Sequence, residues 1–256
     1  MTAGANPGEA SNYFVREFAL IGRSAVQLVR PPSHSRRAEA ARRLARHSLL
    51  ITAILGVLII VLMYALDARE IGLMPPRRSP SLWPVHILTA FGKDAYVLWA
   101  LAGLLIVVSI VAPLLRGSSR ARWLSFGIRV QFLLFAVLAP VLAGAVVKWI
   151  VGRGRPFVGG EANPFNFEPF AGSEAYASFP SSHAITAFAL AFAVTAVWPR
   201  ARPAMIVYAL LIAGSRLVLL AHHPSDVVAG ALIGVLGAMS VRYWFAARRF
   251  GFAIHP

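Results

Sequence analysis

Long apolar stretches alternate with short polar segments over most of the chain. Helices and strands of soluble proteins place apolar residues with a period near 3.6 or 2, whereas these stretches are apolar all round, as in helices surrounded by hydrocarbon. A transmembrane helix needs about 20 mainly apolar residues. By this criterion the sequence predicts six spans, at residues 49–66, 97–115, 126–147, 184–198, 204–221 and 227–245. We therefore expect an all-α, polytopic membrane protein, a bundle of six transmembrane helices of which the fourth is short.

The N-terminal segment, residues 1–47, is basic and has a helical repeat. Its apolar side chains recur at spacings of four and three, at Phe14, Phe18, Ile21, Ala25 and Leu28. This amphipathic pattern predicts a helix lying on the cytoplasmic surface of the membrane. A partly disordered basic arm is the alternative, because Pro31 and Pro32 interrupt the segment. No apolar stretch precedes the first span, so we expect that span to be an anchor and not a cleaved signal peptide.

Two further patterns predict local structure outside and inside the spans. Residues 67–94 contain four prolines, followed by aromatic and aliphatic residues, which predicts a turn and then a short interfacial helix. In the sixth span Gly230 and Gly234 form a GxxxG pair. This pair predicts close packing against a neighbouring helix.

The positive charge lies mainly in segments that adjoin the spans. Lysine and arginine number 25 against 10 aspartates and glutamates, a formal net charge of +15. Such an excess can indicate nucleic-acid binding, but no such motif accompanies it, and basic segments beside spans serve topology and attraction to anionic headgroups. The more basic side holds residues 1–47 and the tail at 246–256, so both ends are expected in the cytoplasm. Residues 48–245 form the membrane domain, with membrane lipids and not nucleic acid as partners.

Composition supports this class and narrows the chemistry. Hydrophobic residues make up 58% of the chain and charged residues 14%, well below the roughly 25% charged that is usual in soluble domains. The chain contains no cysteine. Disulfides, thiolate metal ligands and a cysteine nucleophile are therefore excluded.

Three short blocks at the ends of predicted spans combine cations, histidines and an acid. They are residues 148–156 (a lysine, six residues, Arg-Pro), 180–183 (Pro-Ser-Ser-His) and 215–226 (Ser-Arg, five residues, His, three residues, Asp). If the alternation of spans is right, all three lie on the outer side of the membrane. Arg216 falls inside an otherwise apolar run, where an ionisable residue is costly and therefore a functional candidate.

The cations of these blocks suit phosphate binding. The transition state of phosphoryl transfer spreads charge over three oxygens, so catalysis depends on positioning and on cations. Lys148, Arg155 and Arg216 supply three. Ser181 and Ser182 stand where a helix is predicted to begin, so their hydroxyls and the free backbone N–H groups can also bind an anion.

The histidines suit the covalent step. His222 is the candidate nucleophile, because Asp226, four residues on, can hold its imidazole in the useful tautomer. The leaving oxygen needs a proton, which His183 can give. His223 is not chosen, since only His222 fits the spacings to both Arg216 and Asp226.

Each of these residues also has a simpler interpretation. Lys148 and Arg155 could anchor a helix end at the membrane interface, and for Arg153 this is the favoured interpretation. The two serines could only cap a helix, and Asp226 could be only an N-cap. His183, taken alone, would be an interfacial histidine.

The blocks resemble the signature of the type 2 phosphatidic acid phosphatase (PAP2) superfamily, which shares its site with bacterial class A acid phosphatases and vanadium haloperoxidases. That signature is KX6RP, PSGH and SRX5HX3D, and this chain matches it in order and spacing, with Ser182 where glycine is usual. The resemblance covers about residues 48–245. It implies that His222 becomes phosphorylated, that Asp226 orients it and that His183 protonates the leaving group. It assigns phosphate binding to Lys148, Arg155, Arg216 and Ser182.

The resemblance implies a metal-independent lipid phosphatase of a bacterial inner membrane, without a cofactor. The expected reaction removes a phosphomonoester or pyrophosphate group from a lipid of the phosphatidylglycerophosphate, undecaprenyl pyrophosphate, phosphatidate or lipid A type, at the outer leaflet. A phosphotransferase that uses another lipid as acceptor is the alternative within enzymes. A lipid transporter or interaction protein is the alternative outside them, although intact catalytic positions argue against it.

Overall fold

The computed structural model describes residues 7–31, 34–75, 79–159 and 163–248, and these residues fold almost entirely into helices. The α-helices in the described part of the chain are α1 (Pro7–Val29), α2 (His34–Ala65), α3 (Asp67–Leu73), α4 (Trp83–Ala90), α5 (Asp94–Val111), α6 (Gly117–Val151), α7 (Ser182–Val197), α8 (Arg202–Val218) and α9 (Pro224–Ala247). The same ranges also contain short 3-10 helices at Pro80–Leu82, Ala112–Leu114, Glu174–Tyr176 and Pro199–Ala201. The all-α prediction is confirmed.

Among the described residues, five stretches are long and apolar enough to cross a membrane: Ala41–Ala65, Pro80–Leu114, Gly117–Val151, Pro199–Val218 and Pro224–Ala247. The predicted fourth span corresponds to α7, which is apolar but has only 16 residues. Packing explains how a short helix can lie in this bundle, because α6, α8 and α9 all contact α7 and bury its alanine-rich surface. The protein is therefore a multi-pass membrane protein, and the count of six spans stays a prediction.

The N-terminal segment is helical on both sides of the two prolines. In α1, Tyr13 donates a hydrogen bond to Ile110 O at 2.8 Å, and Ser24 Oγ accepts one from Gln131 Nε2 at 3.0 Å. Helix α2 begins at His34, so the boundary predicted between residues 47 and 48 lies inside it. A location of α1 on the membrane surface stays a prediction, and tail residues 249–256 lie outside the described residues.

The GxxxG pair packs α9 closely against α7, as predicted. A Cβ atom added at Gly230 would lie 2.6 Å from Ser181 O, and one at Gly234 would lie 2.5 Å from Ile185 O. Real Cβ atoms do not approach backbone oxygens this closely, so glycine is required for the contact. The first turns of α7 and α9 are thereby held side by side.

The segment between α2 and α5 covers the same end of the bundle. Helix α4 is the short helix that the prolines and aromatic residues predict, and it packs on α8, where Tyr208 Oη donates to Phe91 O at 2.9 Å. Helix α3 was not predicted. Its first residue, Asp67, is fully buried, and an acidic residue stabilises the first turn of a helix through the helix dipole.

Candidate functional site

Backbone hydrogen bonds join the three sequence blocks at one end of the bundle. Ser178 N donates to Arg153 O at 2.9 Å, which links the first block to the loop before α7. Ser181 N donates to Asp226 O at 3.1 Å, which links the second block to the third. The predicted convergence is therefore present in the fold.

Each of the three predicted phosphate-binding cations is held by one specific partner. Lys148 Nζ donates to Ala177 O at 2.7 Å, and Arg216 Nη1 donates to Thr89 Oγ1 at 2.9 Å. Arg155 Nη2 pairs with Glu174 Oε2 at 2.8 Å. The Nε atoms of Arg155 and Arg216 are buried and have no hydrogen-bond partner among the described residues. Donor capacity for an anion remains, because a guanidinium has five N–H groups.

The start of α7 has unused polar groups as well. Ser181 is the N-cap residue, but its side chain makes no capping hydrogen bond. Its Oγ and the Nε2 atom of His183 are buried, and neither has a partner within the described ranges. The interpretation of Ser181 as a cap alone therefore does not account for its hydroxyl. Ser182 follows as the first residue of α7, where backbone N–H groups have no partner within the helix.

His222 is buried, with 3% of its surface exposed, and its ring is held by a backbone carbonyl. Nδ1 lies 2.8 Å from Ser178 O. A carbonyl can only accept, so Nδ1 bears the proton and Nε2 has the free lone pair. Burial, followed by the charges of Arg216, Lys148 and Arg155, lowers the pKa of His222 well below 6.5, although the Ser178 carbonyl acts in the opposite direction. Burial and the nearby cations thus favour the neutral ring.

Asp226 does not contact His222 by a hydrogen bond. Its Oδ2 lies 4.0 Å from His222 Nδ1, too far for one. Instead Oδ2 accepts from Ser178 Oγ at 2.6 Å and from His223 N at 2.9 Å. The N-cap of α9 is His223, and Asp226 is the third residue of the helix, where its side chain accepts from the N-cap N–H as in a capping box. Asp226 is therefore not the N-cap itself, but it does help to cap α9.

The interpretation of Arg153 as an interfacial anchor is also wrong. Its side chain has 0% of its surface exposed. Nη1 donates to Asp226 Oδ1 at 2.6 Å, Nη2 donates to Asp67 Oδ2 at 2.8 Å, and both Nε and Nη2 donate to Pro164 O. A buried guanidinium is tolerated only where anions and acceptors satisfy it, and two carboxylates do so here.

Three residues next to the predicted site were not predicted from the sequence: Asp67, Ser178 and Glu70. Asp67 binds Arg153 and also accepts from Ser225 N at 3.0 Å. The only signal for Asp67 is its place as an acid directly after an apolar span. Ser178 contributes to His222 a backbone carbonyl, which any residue would provide, and to Asp226 a hydroxyl, which stands in no spacing pattern that would single it out.

A second missed acid is Glu70, one turn beyond Asp67. It is 3% exposed, and burial followed by the charges of Asp67 and Asp226 raises its pKa from 4.5 to about 8. Its carboxyl oxygens have no hydrogen-bond partner among the described residues. The described ranges contain no group of three or more histidine or acidic side chains placed to hold a metal ion.

Comparison with known proteins gives matches over this part of the chain. Residues 129–250, which include all three blocks, match the family model of the PAP2 superfamily. The chain is 32% identical over 172 residues to a lipid A 1-phosphatase of Rhizobium johnstonii, covering 67% of this chain and 70% of that protein. A lipid A 1-phosphatase of Rhizobium etli is 33% identical over 150 residues, 58% and 65% of the two chains.

A third relative is an Escherichia coli protein with the provisional name undecaprenyl-diphosphatase. It is 34% identical over 167 residues, which cover 62% of this chain and 73% of that protein. No solved structure matches the chain.

Proposed function

Because this chain belongs to the PAP2 superfamily, and is thus a phosphatase acting on membrane lipids, we propose that it works through a phosphohistidine formed on His222. The names of the relatives support two substrate classes. Two of them are lipid A 1-phosphatases and one is named as an undecaprenyl-diphosphatase. A lipid A-type phosphate is the first candidate substrate and a polyprenyl pyrophosphate is the second.

The state of His222 is the observation that supports the mechanism most directly. A nucleophilic imidazole must be neutral, and its attacking nitrogen must be the unprotonated one. The bond from Nδ1 to Ser178 O, at 2.8 Å, gives Nε2 the lone pair. The charges of Arg216, Lys148 and Arg155 act against protonation of the ring and would attract the substrate phosphate.

In the first step, His222 Nε2 forms a bond to phosphorus while the bond from phosphorus to the lipid oxygen breaks. The electron pair of that bond goes to the leaving oxygen, which takes a proton from the imidazolium form of His183. In the protein alone, burial and the charge of Arg216 lower the pKa of His183 from 6.5 to about 3, so His183 gains this proton once the negative charge of the bound phosphate offsets the nearby cations. For a pyrophosphate lipid the leaving group is the lipid monophosphate. Arg155, Arg216 and Lys148 neutralise the charge that spreads over the phosphoryl oxygens.

In the second step, water attacks the phosphorus of phosphohistidine and gives its proton to His183. The bond from phosphorus to His222 Nε2 breaks, its electron pair returns to the ring, and inorganic phosphate leaves. Both histidines have then regained their starting protonation states. Water is the acceptor in this scheme, and transfer to a second lipid hydroxyl would follow the same path.

The decisive experiment offers lipid A, undecaprenyl pyrophosphate, phosphatidate and phosphatidylglycerophosphate to the detergent-solubilised protein in EDTA, and measures released phosphate. We expect release from at least one lipid, and an acid-labile phosphoprotein in a rapid quench with labelled substrate. His222→Ala should abolish both. His86→Ala, an exposed histidine on α4, is the matched control and should keep full activity. Release that is undiminished in His222→Ala would overturn the mechanism.

We also propose that the site opens on the outer face of the inner membrane, with both chain ends in the cytoplasm. The chain has no cysteine, so a single one can be introduced as a reporter. Ser173 and Arg200 are exposed and lie near opposite ends of the bundle. In intact spheroplasts an impermeant maleimide should label Ser173→Cys and spare Arg200→Cys, and the reverse pattern would refute this orientation.

A further inference from the structure

We propose that Arg153 and Asp67 are positioning residues for the reaction, because they hold the His222 ring in place through Asp226 and Ser178. This inference rests on the proposed function of His222. It differs from the role implied by the family resemblance, in which Asp226 orients His222 directly. It also assigns a role to Asp67, which lies outside the three sequence blocks, and to Arg153, which is one of the six unspecified residues of the first block.

The contact that orients His222 comes from Ser178. Its carbonyl accepts from Nδ1 at 2.8 Å, whereas Asp226 lies 4.0 Å from the same nitrogen. A shift of the Ser178 backbone would therefore rotate the ring or free it to change tautomer. The position of this one peptide group determines whether Nε2 can reach phosphorus.

Ser178 is held from two sides, and Arg153 acts on both. Its backbone N–H donates to Arg153 O at 2.9 Å. Its Oγ donates to Asp226 Oδ2 at 2.6 Å, and the other oxygen of Asp226 accepts from Arg153 Nη1 at 2.6 Å. Arg153, Asp226 and Ser178 therefore form a closed ring of hydrogen bonds, and His222 is attached to one corner of it.

Asp67 fixes the far side of this ring to the beginning of α3. Its carboxylate accepts from Arg153 Nη2 at 2.8 Å, and it binds both the N–H and the hydroxyl of Ser225. Ser225 Oγ in turn lies 2.6 Å from Arg153 Nη1. All of these side chains are fully buried. Each guanidinium nitrogen of Arg153 has an acceptor, so the network is rigid. A displacement of Asp67 or Arg153 would therefore also displace Asp226 and Ser178.

Four variants test the proposal by kcat, KM and thermal unfolding in detergent. Ser178→Ala removes one hydroxyl and keeps the carbonyl, and it should lower kcat about tenfold with KM unchanged. Arg153→Met should lower kcat about 100-fold, as expected for a displacement near 1 Å of a reacting group. Arg153→Lys should recover part of that loss. Asp67→Asn keeps the shape of the side chain and removes its charge, so its kcat should lie between that of Ser178→Ala and that of Arg153→Met.

Ser240→Ala is the matched control for Ser178→Ala, since it also removes a hydroxyl that donates one hydrogen bond, here to the backbone carbonyl of Leu236 on α9 at 2.7 Å. It should leave kcat unchanged. A network that only stabilised the fold would lower the unfolding temperature while folded protein kept its kcat. That result, or a Ser178→Ala variant within twofold of the parent, would overturn the inference even if Arg153→Met failed to fold.

Failure of the proposed function gives a different result. If the parent protein released phosphate from no lipid, or if His222→Ala remained active, the mechanism itself would be wrong. If the parent is active and His222→Ala is not, the outcome for Ser178→Ala decides the role of the network alone.

Discussion

Two arginines of the first block, Arg153 and Arg155, lie two residues apart on the chain and in opposite environments. Arg155 pairs with Glu174, a side chain that is 92% exposed. Arg153 has no exposed surface and pairs with Asp67 and Asp226, which have none either. The partner determines which arginine is available to a ligand, because a phosphate can displace one exposed carboxylate but cannot displace two buried ones.

The same contrast separates two regions of the site. We call Lys148, Arg155 and Arg216 the cation group, and we call Asp67, Arg153, Ser178, Ser225 and Asp226 the buried network. Within the described residues, Nε of Arg155 and Nε of Arg216 in the cation group have no partner, whereas the charges of the network pair with one another. An exposed ion pair contributes about 0.2–1 kcal/mol, while loss of one partner from a buried pair costs about 3–5 kcal/mol. Changes in the cation group should thus alter activity, and changes in the network should alter both activity and stability.

The largest effect should come from Arg216→Met in the cation group. Removal of one charge-stabilising donor typically costs up to about 1,000-fold, or about 4 kcal/mol. We expect that loss in kcat/KM. Thr89→Val is its companion, because it removes only the hydroxyl that Arg216 Nη1 binds at 2.9 Å, and it should cost about tenfold. Equal losses in the two variants would show that the charge of Arg216 has no role of its own.

A change in helix spacing tests whether His183, on α7, must stay in register with the buried network on α9. Gly230→Ala would place Cβ 2.6 Å from Ser181 O, so the start of α7 must move away from α9. We expect kcat to fall up to about 100-fold through misplacement of the reacting groups. Gly214→Ala is the matched control on α8, where an added Cβ has nothing within 4 Å. An active Gly230→Ala variant would show that the register is less demanding than the contact indicates.

The pH dependence of stability tests the edge of the buried network. Glu70 has a pKa raised from 4.5 to about 8, so the folded state holds a proton that the unfolded chain has lost. Its contribution to stability is complete below about pH 4.5, falls as the pH rises towards 8 and is absent above that. The unfolding temperature should therefore decline over this window more steeply in the parent than in Glu70→Gln. The unfolding temperature of Glu174→Gln, a change at an exposed site, should decline with pH as that of the parent does.

The smallest effect should come from Glu174→Gln. The substitution frees Arg155 from its exposed partner, and such a pair contributes little in water. We expect KM for the lipid to fall about twofold with kcat unchanged, measured by initial rates in mixed micelles. An increase in KM would instead indicate that Glu174 holds Arg155 in its binding position.

The spans were predictable because hydrocarbon demands an all-round apolar surface. The predicted span at 227–245 lies inside α9, and the one at 204–221 overlaps α8 closely. The beginning of α2 was not predictable by hydropathy, since its basic first turns continue the same helix at His34. The sequence also predicts that the three blocks lie together at one end of the bundle, because each block stands at the end of a predicted span. Backbone hydrogen bonds join the three blocks there.

The buried network was not predictable from the sequence. Arg153 adjoins the end of α6, where an isolated basic residue is usually an interfacial anchor, and no local pattern indicates that Asp67, 86 residues away, is its partner. Long-range pairing of this kind depends on how α3 and α9 pack. The contact from Ser178 to His222 was not predictable either, because every residue has a backbone carbonyl. Only the fold shows that this carbonyl, and not the carboxylate of Asp226, accepts from the ring of His222.

The loop between Arg153 and Ser178 is closed at its base by the bond from Ser178 N to Arg153 O and, just above it, by the bond from Arg155 N to Ala175 O. The residues between these two bonds are not independent of the site, because the carbonyl of Pro164 accepts from both Nε and Nη2 of Arg153. A loop of different sequence would have to present a carbonyl at the same point, since otherwise two donors of a fully buried guanidinium would lose their acceptor. Variation in this loop is therefore restricted at Pro164, even though the loop lies outside the sequence blocks.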